Sequence, residues 1–131
     1  MFVLDASVAA SWAFPDEGSP SAAQALELLA KDSAIVPTLF WFELRNILVV
    51  NERRGRIREA STRAFLHDMA LLPIRIDPVL DEDEVMRMAR TYRLTVYDAS
   101  YLELASRCKA PLATLDRQLA RACALEDVTT L

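Results

Sequence analysis

The sequence predicts an α/β protein, a three-layer α/β/α sandwich around a central parallel sheet of four or five strands. Three observations predict it. Short apolar runs alternate with longer stretches of helical periodicity. Strands separated by helices require crossover connections, and those build a parallel sheet covered on both faces. The chain has 131 residues, 53% hydrophobic and 26% charged. That fits one domain, residues 1–131, whose folding buries roughly two-thirds of the surface exposed when unfolded.

Phe2, Val3 and Leu4 form the first buried strand, running into Asp5. "SVAASWAF" is a short helix stopped by Pro15, and "SPSAAQALELLAKDS" a second helix with Ser19 or Ser21 as cap and Pro20 in its first turn. "AIVP" is the second strand. Residues 39–53 form a strongly apolar helix ending near Gly55, and residues 57–71 another. "LPIRID" supplies the third strand. "DEDEVMRMARTYR" begins with acids and ends with Arg90 and Arg93, the order a helix dipole favours. "TVYDASYLELASRC" is a helix entered through Tyr97 and Asp98. "APLATL" is the fourth strand, "DRQLARACAL" the last helix and "DVTTL" an edge strand.

The composition excludes much chemistry. Cys108 and Cys123 belong to no C-x-x-C pair and read as reduced and buried. The only histidine, His67, lies on the amphipathic stretch "STRAFLHDMALL" and reads as a surface residue. A multi-histidine zinc site and a Ser-His-Asp triad are thereby disfavoured. Two glycines, Gly18 and Gly55, cannot build a phosphate-binding loop. No leader segment and no spanning stretch of about 20 apolar residues is evident, which predicts a cytoplasmic protein with no membrane partner. The net charge of −4 gives no whole-molecule attraction for nucleic acid, so binding of that kind needs a local basic patch.

Acids fall where a sheet of this kind places its ligands, outside the carboxyl ends of the strands. Asp5 follows the first strand, Asp116 follows "APLATL", and Asp98 opens a helix. Capping is an alternative role for Asp98 and Asp116. It explains Asp5 less well, because Ser7 could take that cap. Glu43 lies mid-helix in "TLFWFELRNILVV", on a face shared with Leu39, Phe40, Ile47 and Val50. An acid in an apolar stripe costs several kcal/mol unless paired or metal-bound. Arg54 could pair with it, and Asn46 could hold the carboxylate or a water. Asp81 to Glu84 read only as a solvated helix start. Asp5, Glu43, Asp98 and Asp116 together point to a hard divalent cation, Mg2+ or Mn2+, which prefers oxygen ligands and relieves carboxylate repulsion. Such a centre can activate water against a phosphodiester.

"LDAS", "FELRN", "YDASYLELA" and "ATLD", in this order and at this length, resemble a PIN-domain ribonuclease, and more narrowly the toxin subunit of a VapBC-type toxin–antitoxin pair. The resemblance runs from Phe2 to about Val128 and implies a PIN-like sandwich. It carries the four catalytic and metal-holding acids onto Asp5, Glu43, Asp98 and Asp116, and accessory polar positions onto Ser7, Asn46 and Thr114. It implies metal-dependent endonucleolytic cleavage of RNA, a homodimer, and a small cognate antitoxin that blocks the site. "NERRGRIR" gathers Arg53, Arg54, Arg56 and Arg58, which read either as a solvated helix end or as a phosphate-contacting patch; Arg117 is a further candidate.

Two other classes have the same architecture. A phospho-accepting receiver domain wants paired acids after the first strand and a lysine near the last strands; "MFVLDAS" has one acid, and Lys109 precedes the last strand. A haloacid-dehalogenase-like phosphatase needs an aspartate where Ser7 stands. A non-catalytic α/β binding module is the remaining alternative. Acetyl-phosphate labelling, metal-dependent RNA cleavage, or neither, separates these readings.

Overall fold

A computed structural model describes residues 1–131. Four parallel strands, β1 (Phe2–Leu4), β2 (Ala34–Pro37), β3 (Ile74–Asp77) and β4 (Leu112–Ala113), stand in the order β3-β2-β1-β4. The expected edge strand at "DVTTL" is reduced to one parallel bridge between Leu112 and Thr130. Seven helices cover the sheet: α1 (Ala6–Ser11), α2 (Pro20–Leu28), α3 (Leu39–Arg53), α4 (Glu59–Met69), α5 (Glu82–Tyr92), α6 (Val96–Cys108) and α7 (Arg117–Leu125). A 3-10 turn, Pro15–Glu17, follows α1.

The chain steps outward from β1 to β2 to β3, then returns past β1 to place β4 on its other side. The sheet therefore reverses its direction of growth between β1 and β4. In open α/β sheets that switch point, at the carboxyl ends, is where a site forms. Register completes the arrangement. Val3 pairs with Leu112 and Leu4 with Ala113, so the next residues on each strand, Asp5 and Thr114, emerge side by side.

All three residues of β1 are buried, as its unbroken apolar run predicts. Ser19 caps α2 by accepting the Ala22 N–H at 3.2 Å. Gly55, with φ +73°, ends α3 in the left-handed conformation that glycine adopts without strain. With no glycine available, α5 and α6 end on left-handed Arg93 and Lys109.

Four expectations are corrected. The fourth helix is Glu59–Met69, shorter than residues 57–71. Cys108 is only half-buried, while Cys123 is buried; both are free thiols. The buried face of α3 is Phe40, Leu44, Leu48 and Asn51, whereas Leu39, Ile47 and Val50 lie half-buried along its flank. Apolar Phe42 and Val49 among its polar residues blur the sequence signal for its rotation. Trp41 and Phe42 remain 46% and 64% exposed. Finally, Asp5 does cap α1, accepting the Ser7 N–H at 3.4 Å. His67 is exposed, as its helical pattern predicts.

Candidate active site

Asp5 is the centre of the acidic group. It is buried at 4% exposure. Its Oδ2 accepts the Ser7 hydroxyl at 2.8 Å and the Thr114 hydroxyl at 2.7 Å. Each hydroxyl in turn accepts a backbone N–H, Ser7 Oγ from Leu115 at 3.2 Å and Thr114 Oγ1 from Asp116 at 3.0 Å. The mouth of β1 is thereby stapled to the mouth of β4. Burial raises the Asp5 carboxyl above its usual range, the Thr114 and Ser7 hydrogen bonds oppose this, and the Asp116 charge adds to the rise.

Asp116 is exposed and caps α7, accepting the Leu119 N–H at 2.8 Å. It thus does what the capping alternative requires and also adds its charge to the group around Asp5. At Asp98 the capping alternative fails. Thr95 caps α6, accepting the Asp98 N–H at 3.1 Å, and the half-buried Asp98 carboxylate is left free of backbone. Burial first, then the Asp5 and Asp116 charges, raise its carboxyl; Thr95 partly offsets this.

Glu43 reaches the same group from α3. Its carboxyl is pushed up to about 7, chiefly by burial, with the Asp5 and Asp98 charges adding to the rise and Tyr101 nearby opposing it. No arginine neutralises it; Arg54 is exposed and makes no ion pair, so the pairing alternative fails. Glu43 Oε1 is buried without a hydrogen-bond partner, as is the Tyr101 hydroxyl. The two lie near each other, yet close no hydrogen bond of normal geometry. Asn46 is exposed and bonds to none of the acids.

Burial, with neighbouring acids, raises the Asp5, Glu43 and Asp98 carboxyls, Asp116 adds to the rise at Asp5 and Asp98, and none of the four is paired with a cation. The protein by itself forms no ready-made chelating set of three. The donors are nonetheless of the kind a hard cation selects, all oxygen and anionic. The Glu43 carboxylate, which no cationic side chain neutralises, is the group whose charge such an ion would satisfy.

Arg56 has partners other than the expected phosphate. It pairs with Glu17 at 2.7 Å and Asp16 at 3.2 Å, donates to Asn51 Oδ1 at 3.0 Å and lies over the Phe14 ring. It ties the end of α3 to the 3-10 turn. Arg53, Arg54, Arg58 and Arg117 are exposed and unpaired. At the start of α5, Asp81 accepts the Glu84 N–H and Glu84 pairs with Arg87, in keeping with a solvated helix start. Sequence reasoning missed Thr95 and Tyr101. Thr95 has a signal, a threonine three residues before an acid at a helix entry; Tyr101 reads only as core.

A three-layer sandwich with Asp5 and Asp116 at the β1/β4 switch point defines a class. The chain belongs to the PIN domain family, whose profile matches residues 2–125. It is 35% identical over 127 residues to Ribonuclease VapC3 of Pyrobaculum aerophilum, covering 90% of this chain and 91% of that protein. A crystal structure of a Pyrobaculum aerophilum protein superposes with a TM-score of 0.73 at 28% identity, over 92% of this chain and 83% of that one. A toxin–antitoxin complex from Klebsiella pneumoniae superposes with a TM-score of 0.60 at 21% identity, over 95% and 91% of the two chains, a likeness of fold.

Proposed function

We propose that the protein is a Mg2+- or Mn2+-dependent endoribonuclease, the toxin of a toxin–antitoxin pair, acting in the cytoplasm. The observation that carries this reading is the trio of Asp5, Glu43 and Asp98 carboxylates, buried or half-buried with Asp116 beside them, none paired with a cation and Glu43 Oε1 buried without a partner. Family membership and the ribonuclease relative support the substrate and the antitoxin. No helix is long and apolar enough to cross a membrane.

Asp5, Glu43, Asp98 and Asp116 would hold a divalent cation, which would supply charge that favours water attack on a phosphodiester and would balance the leaving oxygen. Asp5 gives a ligand of fixed aim, because Ser7 and Thr114 hold its Oδ2. Glu43 from α3 and Asp98 from α6 would supply further ligands, and the exposed Asp116 one from the solvent side. Exposed Arg53, Arg54, Arg58 and Arg117 are free to contact phosphates. Asn46 is left with an outer position only.

The exposed face of α3 supports a protein partner. Trp41 and Phe42 pack edge to face at 5.1 Å, and the Arg45 guanidinium sits 3.8 Å over the Trp41 ring. Large exposed aromatics on one helix mark an interface, which we assign to the homodimer or to the antitoxin. Light scattering showing a monomer at high concentration, unaltered by the antitoxin, would remove that assignment.

The function is tested by expression in cells. Wild type should arrest growth and cut a discrete set of RNAs. Asp5→Asn and Asp98→Asn should fold and bind RNA, yet lose on the order of several kcal/mol of barrier reduction. Equal toxicity from a folded Asp5→Asn would overturn the reading.

A further inference from the structure

Tyr101 is a large buried residue behind the carboxylates that the steps above leave unused. Its side chain has 0% exposure, and its hydroxyl makes no hydrogen bond. A buried hydroxyl without a partner is costly, so phenylalanine would fill the same space at less cost. The orphan has a counterpart. Glu43 Oε1, on α3, is also buried and unpartnered, and lies within interaction range of the Tyr101 hydroxyl. That hydroxyl also approaches the backbone of Ala6, the residue after Asp5. On α6, Tyr101 stands three residues after Asp98, so both project from one side of the helix. One side chain thus reaches the elements that carry Asp5, Glu43 and Asp98.

We infer that Tyr101 is a positioning residue of the cation site, its hydroxyl donating to Glu43 Oε1 and fixing that carboxylate's aim when the acidic group is loaded. The role rests on the proposed cation-dependent function. Hydrogen bonds behind a ligand hold its orientation, and losing one typically costs 10–100-fold in metal affinity. Tyr101 touches no reacting atom. Its effect passes through Glu43, and from there to the geometry shared with Asp5 and Asp98.

The test is Mn2+ titration calorimetry on the full chain, with melts recorded in the absence of metal. Wild type, Tyr101→Phe and Tyr92→Phe are compared; the Tyr92 hydroxyl bonds Glu126 at 2.6 Å and serves as control. Tyr101→Phe keeps the ring and should keep or raise the metal-free melting temperature, because the lost hydroxyl has no partner. Its Mn2+ Kd should rise about 10-fold or more, and RNA cleavage should lose kcat at unchanged KM. Tyr92→Phe should bind Mn2+ as wild type does. A folded Tyr101→Phe with a Kd within about threefold of wild type, or one whose metal-free stability falls, overturns the role. Wild type that itself binds no Mn2+ overturns the cation site, and Tyr101's role with it.

Discussion

Thr114→Val is the perturbation that tests the staple between the two strand mouths. Valine keeps the shape of threonine and replaces its hydroxyl with a methyl group. Two hydrogen bonds go with that hydroxyl, the 2.7 Å donation to Asp5 Oδ2 and the 3.0 Å acceptance from the Asp116 N–H. A hydrogen bond to a charged group contributes about 1.5–3 kcal/mol. The Asp116 N–H is part-buried and loses its only acceptor, while Asp5 keeps just its bonds from Ser7. The expected loss is about 2–3 kcal/mol. For a chain of this length each kcal/mol lowers the melting temperature by about 4 °C, so the expected drop is about 8–12 °C. Differential scanning calorimetry near neutral pH without metal gives the number. Thr114→Ser isolates the cause, since it keeps the hydroxyl and removes one methyl group at a cost of about 1 kcal/mol. Asp5, less firmly held in the valine variant, should also bind Mn2+ about 10-fold more weakly. If valine costs no more than serine, the Asp5–Thr114 bond contributes nothing, and the register of β1 against β4 alone aligns the site.

Two further outcomes follow from the charges. Burial pushes the Glu43 carboxyl up to about 7 in the fold, and the Asp5 and Asp98 carboxyls are also raised. The folded state therefore holds these protons more tightly than the unfolded chain does. For Glu43 that stabilisation is fully present below about 4.5 and is lost as pH climbs through about 7; Asp5 and Asp98 act in the same direction. Metal-free wild type should melt lower at pH 8 than at pH 5, with Glu43→Gln flattening the fall. Mn2+ should raise the melting temperature at pH 8 more than at pH 5, because protonated carboxyls are poor ligands. A wild-type profile matching that of Glu43→Gln would contradict the Glu43 assignment. Among the arginines, Arg56→Ala should lower the melting temperature, through loss of its contacts with Asp16, Glu17 and Phe14. Arg54→Ala and Arg58→Ala should leave stability unchanged but weaken RNA binding, each reducing the salt slope by about one. Salt-dependent binding unchanged in both would remove the phosphate patch.

The sequence by itself determined the layers and where the acids fall along the chain. The buried run at β1, the proline-closed β2 and the acid-led start of α5 are local signals, set by apolar periodicity, backbone constraint and dipole. Crossover topology then requires Asp5 and Asp116 to lie beyond the ends of parallel strands. The rotation of α3 was not legible, because apolar Phe42 and Val49 stand among Arg45, Asn46, Glu52 and Arg53 on its polar side and blur the phase. Only packing against the sheet put Phe40, Leu44 and Leu48 inside and Trp41 and Phe42 outside. Arg56 looked interchangeable with its neighbours until the 3-10 turn brought Asp16 and Glu17 to it. Tyr101 is core; what separates it is a buried unpartnered hydroxyl near another unpartnered oxygen on a different helix. Contacts of that kind join residues tens of positions apart. No local propensity encodes them, because the energy of the contact exists only once the sheet has set the distance between its helices.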